Sequence, residues 1–247
     1  MRGGPGLGNI AGAQGDYFQA TKGGGHGDYN MVCLAPASVQ EMFDFTYDAF
    51  DIAQKYTNPV MILTDGIIGQ MMEPIIMERK KIAIDPDAND WTLRGAKARA
   101  PRSIRSLFLK EGVLEEWNKK LQVKFALMRK NEVKYETYKT LDADLVFCAY
   151  GTCARIARAA CDVLRKSGVK AGIFRPISLW PFPYAELANL DKGKQRFFVL
   201  EMSAGQMLYD IKLAIKDDKR VAFYGRMGGG VPEENEVVRL AKKILHT

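Results

Sequence analysis

The residues best suited to bind an anion stand together at the start of the chain. Arg2 is followed by the run Gly3-Gly4-Pro5-Gly6. A guanidinium offers two parallel N–H donors, which match the two oxygens of a carboxylate or a phosphate. Glycines let the backbone come close to a bound ligand. The run predicts an anion-binding loop, with Arg2, Gly3, Gly4 and Pro5 as candidate substrate-binding residues. The alternative is an arginine in an ordinary surface loop.

A second glycine-rich run, Lys22-Gly-Gly-Gly-His26-Gly27, contains one of the two histidines of the chain. A histidine in such a loop can carry a proton or donate a hydrogen bond to a substrate. His26 is therefore a further candidate substrate-binding residue. A loop histidine without a chemical role is the equally weighted alternative.

The remaining sequence shows no pattern of a complete catalytic site. Asp65 and Glu201 each follow an apolar run, where a turn or interface role is more common than catalysis. Gly6-Leu-Gly8 has no strand before it, as a dinucleotide loop requires, and lacks the lysine of a phosphate-binding loop. The sequence therefore predicts no catalytic side chain and no metal ligand on this chain.

The composition is that of an ordinary globular protein. Of the 247 residues, 47% are hydrophobic and 26% are charged. No run approaches the roughly 20 apolar residues of a membrane helix, and the N-terminus has no basic-then-apolar signal. The cysteines form no CxxC pair, so an iron–sulfur cluster or zinc site is not expected here. These features predict a cytoplasmic protein that does not enter a membrane. The cysteines are Cys33, Cys148, Cys153 and Cys161.

The positive charge is concentrated in the middle of the sequence. The net charge is +7, and residues 78–130 hold 14 Lys/Arg against 7 Asp/Glu. Such an excess can mark a nucleic-acid-binding surface. Acidic residues are interspersed, however, and no aromatic–basic alternation of the RNA-reading kind occurs. We therefore expect a solvated face or a surface that docks acidic protein partners, and no nucleic acid as a partner.

Three zones follow one another along the chain. Residues 1–72 contain an apolar strand at 31–35, a helix that begins at Ser38 and a strand at 59–65. Residues 73–140 form a charged connecting arm, whose one clear element is an amphipathic helix near 113–130. Residues 141–247 alternate strands and helices, which predicts an α/β class with a mainly parallel sheet. Its strands are predicted at 145–150, 170–174, 196–200 and 221–224.

The first zone holds too few strands for a stable sheet of its own. Its glycine-rich loop begins at residue 2, and only two apolar strands follow. Either these strands join a sheet from another chain, or an N-terminal part is lacking. We favour the second interpretation, in which Met1 is an internal methionine taken as a start or the edge of an expressed segment.

Several motifs in order resemble the alpha subunit of the 2-oxoacid:ferredoxin oxidoreductases. The motifs Arg2-Gly-Gly-Pro-Gly-Leu-Gly-Asn-Ile10, Lys22-Gly-Gly-Gly-His26-Gly27 and Leu34-Ala-Pro-Ala-Ser-Val-Gln-Glu41 are similar to the later half of its pyrimidine domain. Arg175-Pro-Ile-Ser-Leu-Trp-Pro-Phe-Pro183 and Glu201-Met-Ser-Ala-Gly-Gln206 resemble its next domain. The resemblance implies a partial thiamine-pyrimidine-type domain at 1–72, the arm, and a transketolase C-terminal-like, three-layer α/β/α domain at 141–247.

The resemblance implies an enzyme complex that oxidatively decarboxylates a 2-oxo acid to its acyl-CoA and passes electrons to ferredoxin. Thiamine diphosphate and Mg would be shared with a beta-type subunit, and iron–sulfur clusters would lie on partner subunits. Gamma-type and ferredoxin-like subunits would complete a dimer of heteromers, with coenzyme A as co-substrate. In this family the arginine of the RGGP loop contacts the substrate carboxylate, and it corresponds to Arg2.

Two departures from the family pattern bear on function. The segment with the Tyr-Pro-Ile-Thr-Pro-like substrate loop and the glutamate that activates thiamine has no counterpart here, so this chain alone is expected to be inactive. Relatives that act on 2-oxoglutarate tend to carry RGGPSTG followed by Pro-Thr, where this chain has Gly6-Leu7 and Asn9-Ile10. The loss of hydroxyls favours a branched-chain substrate of the 2-oxoisovalerate type. The alternatives are a non-catalytic assembly module and a 2-oxoglutarate- or pyruvate-specific relative.

Overall fold

The computed structural model describes residues 1–78, 91–93 and 95–246. Two short 3₁₀ turns, Gly23–Gly25 and Asp218–Arg220, accompany the regular elements. The helices are α1 (Tyr17–Thr21), α2 (Val39–Tyr56), α3 (Gly66–Gln70), α4 (Val113–Asn131), α5 (Gly151–Lys166), α6 (Tyr184–Leu190), α7 (Met207–Ala214) and α8 (Glu234–Leu245). The strands are β1 (Val32–Leu34), β2 (Val60–Ile62), β3 (Tyr135–Tyr138), β4 (Leu145–Cys148), β5 (Ala171–Pro176), β6 (Ser178–Trp180), β7 (Arg196–Glu201) and β8 (Val221–Gly225).

The larger sheet has five strands in the order β3-β5-β4-β7-β8. β4 pairs in parallel with β5 and β7, and β7 pairs in parallel with β8, whereas β3 runs antiparallel to β5. Every residue of β4 and β5 is buried, which explains their unbroken apolar runs. The predicted α/β class and mainly parallel sheet are confirmed. β3 lies within the arm, where no strand was predicted, because its exposed edge leaves only a weak alternating pattern.

Helices cover both faces of this sheet. Phe147 and Phe198 face α5 and α8 in one buried cluster, while Val146 and Val199 face α6 and α7 in another. The alternation follows from the two-residue repeat of a strand, since neighbouring side chains point to opposite faces. The predicted three-layer α/β/α arrangement is therefore confirmed.

The smaller sheet has three strands in the order β2-β1-β6. β1 and β2 are parallel, as predicted, with Val32 opposite Val60. Its third strand, β6, pairs antiparallel with β1 and was not predicted from the sequence. Cys33 on one face of this sheet shares a buried cluster with Val146 of the larger sheet, so the two sheets pack together. The zone boundaries at 72 and 140 stay a prediction.

Ser38 and Glu41 cap the start of α2, where the sequence predicts that the helix begins. Ser38 Oγ accepts a hydrogen bond from the backbone N–H of Glu41 at 3.1 Å. Glu41 Oε2 in turn accepts from the N–H of Ala37 at 2.7 Å, one residue before the position expected in a capping box. The backbone N–H groups of Ala37 and Glu41, at the start of α2, are thereby hydrogen-bonded.

The predicted apolar faces of α2 and α4 are buried only toward their C-terminal ends. Ile52, Tyr56, Phe125 and Met128 form a cluster with β1. Phe50 is 74% exposed, because it lies two positions from the buried Ile52 and therefore on the opposite side of α2. No helix in the described part of the chain is long and apolar enough to cross a membrane.

Candidate functional site

The loop that carries Arg2 closes on itself through backbone hydrogen bonds. The N–H of Gly3 donates to the carbonyl of Ala11 at 2.8 Å, and the N–H of Asn9 donates to the carbonyl of Gly3 at 3.0 Å. Gly8 has a φ of +49°, and a Cβ there would lie 1.8 Å from the Gly3 oxygen. A side chain at residue 8 is therefore incompatible with this closure.

The Arg2 side chain is exposed but held by the carbonyls of its own loop. Its Nη1 donates to the carbonyl of Gly3 at 3.2 Å and to that of Leu7, and its Nη2 donates to the carbonyl of Gly6 at 3.1 Å. A guanidinium has five N–H groups in a fixed plane. These contacts orient that plane before a ligand arrives, and a carboxylate must compete with the loop carbonyls or add to them.

The glycines of this loop have two different roles. Gly3 is buried, and a Cβ there would lie 3.0 Å from the backbone of Gly228 and Gly229, which follow β8. At Gly4 and Gly6 a Cβ would meet nothing within 4 Å. Gly3 therefore permits close packing, whereas Gly4 and Gly6 border open space. Pro5 is exposed between them.

The loop is tied to the ends of several strands. Asn9 Nδ2 donates to the carbonyl of Gly228 at 2.8 Å, and the N–H of Gly66, at the start of α3, donates to the carbonyl of Met1 at 2.9 Å. The loop thus lies beyond the carboxyl ends of β2 and β8. Ligands of open α/β sheets commonly bind at such an edge.

Gln14 fixes the chain directly after this loop. Its side chain is fully buried; Nε2 donates to the carbonyl of Tyr150 at 2.9 Å, and Oε1 accepts from the N–H of Met202 at 2.9 Å. It therefore joins the carboxyl ends of β4 and β7. Reasoning from the sequence assigned it no role, because a lone buried polar residue produces no periodic signal.

Asp65 is a structural cap on two helices. It is 1% exposed and accepts from the N–H of Thr152 at 2.8 Å, from Thr152 Oγ1 at 2.7 Å and from the N–H of Ile68 at 3.2 Å. A Cβ at Gly151 would lie 2.6 Å from its Oδ2. The sequence interpretation of a turn residue rather than a catalyst agrees with these contacts, which stabilise the starts of α3 and α5.

Glu201 anchors the start of α7. Its carboxylate is fully buried and accepts from Ser203 Oγ at 2.8 Å and from the backbone N–H groups of Gln206, Met207 and Leu208 at 3.1, 3.0 and 2.9 Å. Burial raises the pKa of Glu201, and these donors oppose the rise. With its oxygens occupied in this way, Glu201 has a structural role.

The second glycine-rich loop is anchored by a buried carboxylate of α7. Lys22 Nζ lies 2.7 Å and 3.0 Å from the two carboxylate oxygens of Asp210, which is 1% exposed. Asp210 also accepts from Tyr17 Oη at 2.6 Å and from Tyr184 Oη. Burial, reinforced by the Asp210 charge, raises the pKa of Tyr17. The loop is therefore fixed at its first residue, Lys22, by this ion pair.

His26 itself is exposed and follows the 3₁₀ turn Gly23–Gly25. The loop borders a cleft of about 1110 Å³ between itself, α4 and the segment after β6, lined among others by Gly27, Tyr29 and Trp180. Within the described residues, no hydrogen bond or ion pair joins His26 to Arg2. The Arg2 loop is thus held by the contact to Gly228, and the His26 loop by the contact to Asp210. That both loops contact the same ligand stays a prediction.

The described residues do not fit a metal–diphosphate site or a cluster. In the part of the chain that the structure covers, no group of three His, Cys, Asp or Glu side chains could hold a metal ion. The four cysteines are buried and unpaired. Burial raises the pKa of Cys33 to about 12, which disfavours the thiolate that a metal requires.

Two family models match the chain one after the other. Residues 1–138 match the family described as pyruvate flavodoxin/ferredoxin oxidoreductase, thiamine diphosphate-binding. Residues 143–237 match pyruvate:ferredoxin oxidoreductase core domain II. The first match covers more than half of the chain, and the two follow the order that the motifs predicted. The chain therefore belongs to the 2-oxoacid:ferredoxin oxidoreductase family, and the resemblance is confirmed.

Two relatives show which members of the family this chain is similar to. It is 45% identical over 244 residues to the ketoisovalerate oxidoreductase subunit VorB of Methanothermobacter marburgensis, covering 99% of this chain and 69% of that protein. It is 35% identical over 261 residues to the 2-oxoglutarate synthase subunit KorA of Methanocaldococcus jannaschii, covering 96% and 70%.

A solved structure supports the fold. The 2-oxoglutarate:ferredoxin oxidoreductase from Magnetococcus marinus, determined with 2-oxoglutarate, coenzyme A and succinyl-CoA bound, matches with a TM-score of 0.80 at 21% identity. The match covers 99% of this chain and 47% of that one. At this identity the likeness establishes the shared fold alone, and this chain spans less than half of the solved chain.

Proposed function

We propose that this chain is the alpha-type subunit of a branched-chain 2-oxoacid:ferredoxin oxidoreductase, which decarboxylates 2-oxoisovalerate-type acids oxidatively to their acyl-CoA. The observation that carries the proposal is the Arg2 guanidinium, exposed and pre-oriented by three carbonyls of its loop. This arrangement suits a bidentate contact to the carboxylate that every 2-oxo acid carries. Gly3, Gly4 and Pro5 shape the loop, and His26 is the further candidate for a hydrogen bond to the substrate.

The side chains around Arg2 favour an aliphatic substrate. Leu7 is 94% exposed and Ile10 is 89% exposed, so the rim of the loop presents apolar groups. Neither these side chains nor Gly6 can donate the hydrogen bonds that the second carboxylate of 2-oxoglutarate requires. The greater identity to a ketoisovalerate oxidoreductase subunit than to a 2-oxoglutarate synthase subunit points the same way.

The cofactors are assigned mainly to partner chains. Because the described residues form no metal group, thiamine diphosphate and Mg would be shared with a beta-type subunit that supplies the diphosphate end. Thiamine diphosphate, when bound, supplies the decarboxylation chemistry. Iron–sulfur clusters would lie on partner subunits, which include gamma-type and ferredoxin-like chains, and coenzyme A would accept the acyl group. The assembly would be a cytoplasmic dimer of heteromers that passes electrons to ferredoxin, and this chain alone would be inactive.

The experiment is a kinetic comparison of assembled complexes that contain Arg2→Ala, Arg2→Lys or unchanged chain. Removing a charged hydrogen-bond donor costs about 1.5–3 kcal/mol, so we expect kcat/KM for 2-oxoisovalerate to fall roughly 10- to 100-fold in Arg2→Ala. Arg2→Lys should recover part of the loss, since the charge remains without the bidentate fork. The KM for coenzyme A should not change.

Arg239→Ala is the matched control, because its side chain is 69% exposed and lies on α8. Complexes with this variant should keep the unchanged kinetics. Wild-type kcat/KM in an assembled Arg2→Ala complex would remove the role given to Arg2.

The second candidate is a non-catalytic assembly subunit. It is favoured by the absence of a nucleophile–base pair or a metal group among the described residues. It predicts that complexes containing this chain reduce no viologen dye when thiamine diphosphate, coenzyme A and 2-oxo acid are supplied. Thiamine-dependent turnover that requires this chain would exclude it.

A further inference from the structure

Asn9 lies where the loop that carries Arg2 meets the turn after β8. Its side-chain Nδ2 donates to the carbonyl of Gly228 at 2.8 Å. Its Oδ1 accepts from the backbone N–H of Ala11 at 3.2 Å. The side chain of Asn9 is therefore bonded both to its own loop and to the turn of residues 226–230, which follows β8.

Two glycines leave the space that the Asn9 side chain occupies. A Cβ at Gly3 would lie 2.4 Å from Asn9 Oδ1. A Cβ at Gly229 would lie 3.1 Å from Asn9 Nδ2 and 2.5 Å from the Cβ of Ala11. Atoms that are not bonded to each other pack at about 3.5–4.0 Å, so a side chain at either glycine would displace its neighbours. The loop and the turn therefore fit together around Asn9.

The carbonyl of Gly3 links Asn9 to the guanidinium of Arg2. This carbonyl accepts from the backbone N–H of Asn9 at 3.0 Å and from Arg2 Nη1 at 3.2 Å. A carbonyl oxygen has two lone pairs and can accept both bonds. The N–H of Gly3 donates to the carbonyl of Ala11 at 2.8 Å, and Asn9 Oδ1 holds the N–H of Ala11. One of the carbonyls that orient Arg2 is thus itself held by Asn9.

The bond between Asn9 and Gly228 goes beyond what a local turn requires. Asparagine side chains often bond the backbone two residues further on, as Asn9 does with Ala11. Gly228, however, is separated from Asn9 by 219 positions. In the described part of the chain, this is the hydrogen bond that joins residues 3–10 to the chain beyond residue 12. It fixes the middle of the loop to the end of β8, and β8 pairs with β7 in the larger sheet.

We infer that Asn9 is a positioning residue, which holds the Arg2 loop against the turn after β8 and so sets where the guanidinium meets the substrate carboxylate. The inference rests on the proposed function, because Asn9 acts through Arg2. A displacement of about 1 Å at such a group is enough to lower catalytic efficiency strongly. The turn of residues 226–230 thereby contributes to substrate binding without contacting the substrate.

The test is a double-mutant cycle on the assembled complex, with Asn9→Ala, Arg2→Ala and the two combined. Asn9→Ala removes two side-chain hydrogen bonds and frees the loop, so the KM for 2-oxoisovalerate should rise about three- to tenfold. The kcat should change by less than about twofold, since a carboxylate contact binds substrate and transition state alike. If Asn9 acts through Arg2, kcat/KM of the double variant should lie within about twofold of Arg2→Ala alone.

Two further variants separate the bond to Gly228 from ordinary structural roles. Asn9→Ser keeps an acceptor for the local turn but is too short to replace the amide donor, so its KM should rise as in Asn9→Ala. Gln195→Ala is the matched control. The Gln195 amide also accepts from a backbone N–H, of Lys192 at 2.7 Å, and donates to a carbonyl, of Leu190 at 3.3 Å. Its loss should lower stability and leave the KM for the 2-oxo acid unchanged.

The turn is tested from its own side by Gly229→Ala. The added methyl group would lie 2.5 Å from the Cβ of Ala11 and must push the loop and the turn apart, so the KM should rise at least as much as in Asn9→Ala. Gly193→Ala is the matched control, because Gly193 has a φ of +81° against +89° at Gly229. A Cβ at Gly193 meets nothing within 4 Å, so this variant has similar backbone strain and should keep the unchanged kinetics.

The outcomes separate the positioning role from the proposed function. An unchanged KM in Asn9→Ala or Asn9→Ser, losses that multiply in the double variant, or an equal rise in the Gln195→Ala control would each overturn the inference. A loss in Arg2→Ala beside unchanged kinetics in Asn9→Ala overturns the positioning role and keeps the proposed function. Unchanged kinetics in Arg2→Ala overturns the proposed role of Arg2 itself.

Discussion

The two sheets of the molecule differ in what covers their faces. Their central strands, β4 and β1, are both buried at every residue, and the edge strand β2 of the smaller sheet is half-buried. The larger sheet has α5 and α8 on one face and α6 and α7 on the other. The smaller sheet shares one buried cluster with the larger sheet and another with α2 and α4. We call the larger sheet with its four helices the closed region, and the smaller sheet with α2 and the two candidate loops the less covered region.

The difference shows how the candidate loops are held. Both loops belong to the less covered region, yet their fixed points lie on the closed one. Gln14 binds the ends of β4 and β7, Asp65 caps α5, and Asp210 on α7 holds Lys22. Exposed loops on a rigid scaffold are the usual arrangement for binding sites. The polar anchors therefore matter as much for the site as the loop residues themselves.

The largest expected effect is a difference in unfolding free energy between two Phe→Ala variants, one in each region. Phe147→Ala, in the core between β4 and α5, should lower the free energy of unfolding by about 3–5 kcal/mol, because its ring is fully buried. Phe50→Ala on α2 should change it by less than about 0.5 kcal/mol. Urea denaturation of both variants measures the difference. Equal losses would mean that α2 is covered as completely as the larger sheet.

The connection between the regions is tested at Asp65. Asp65→Asn keeps the size of the side chain but turns one acceptor into a donor that faces N–H or O–H groups. The expected loss in unfolding free energy is about 1–3 kcal/mol. Hydrogen exchange should quicken at the start of α5 as well as at α3, since Asp65 binds both. Asp28→Asn, at an exposed loop residue, is the control with little expected effect. Protection lost at α3 alone would contradict a joint cap.

The smallest effect depends on pH and lies within the closed region. Arg220 donates to both oxygens of Asp191 at 2.7 Å, and these bonds lower the pKa of Asp191. The pair therefore stabilises the fold fully above the unfolded pKa of about 3.9, and the contribution is lost as the pH falls through the folded pKa. The stability difference between unchanged chain and Asp191→Asn, measured from pH 6 downward, should shrink below that value. A difference independent of pH would exclude this assignment.

The parallel strands of both sheets were predictable, and the antiparallel edge strands β3 and β6 were not. The four apolar runs of β4, β5, β7 and β8 are long and flanked by turns, so they signal buried strands clearly. β6 has three residues beside two prolines, and its pairing with β1 depends on a contact distant in sequence. Phe50 is apolar but lies on the side of α2 opposite to the buried Ile52, and residue type alone does not show which side of a helix is covered.

The site shows the same limit. The Arg2 and His26 loops were singled out as candidates because glycines mark them in sequence. Gln14 and Asp210 were missed as anchors, since a single buried polar residue is recognised only through its partners. The carboxylates of Glu201 and Asp65 accept hydrogen bonds from the starts of helices, and their lack of a catalytic role stays a prediction.

The central claim is that the Arg2 loop selects a branched, aliphatic 2-oxo acid. It is tested most directly by the ratio of kcat/KM for 2-oxoisovalerate to that for 2-oxoglutarate, measured on the assembled complex. We expect a ratio of at least about ten, because a second carboxylate would lie unpaired against the apolar rim. A ratio near one or below it would contradict the account.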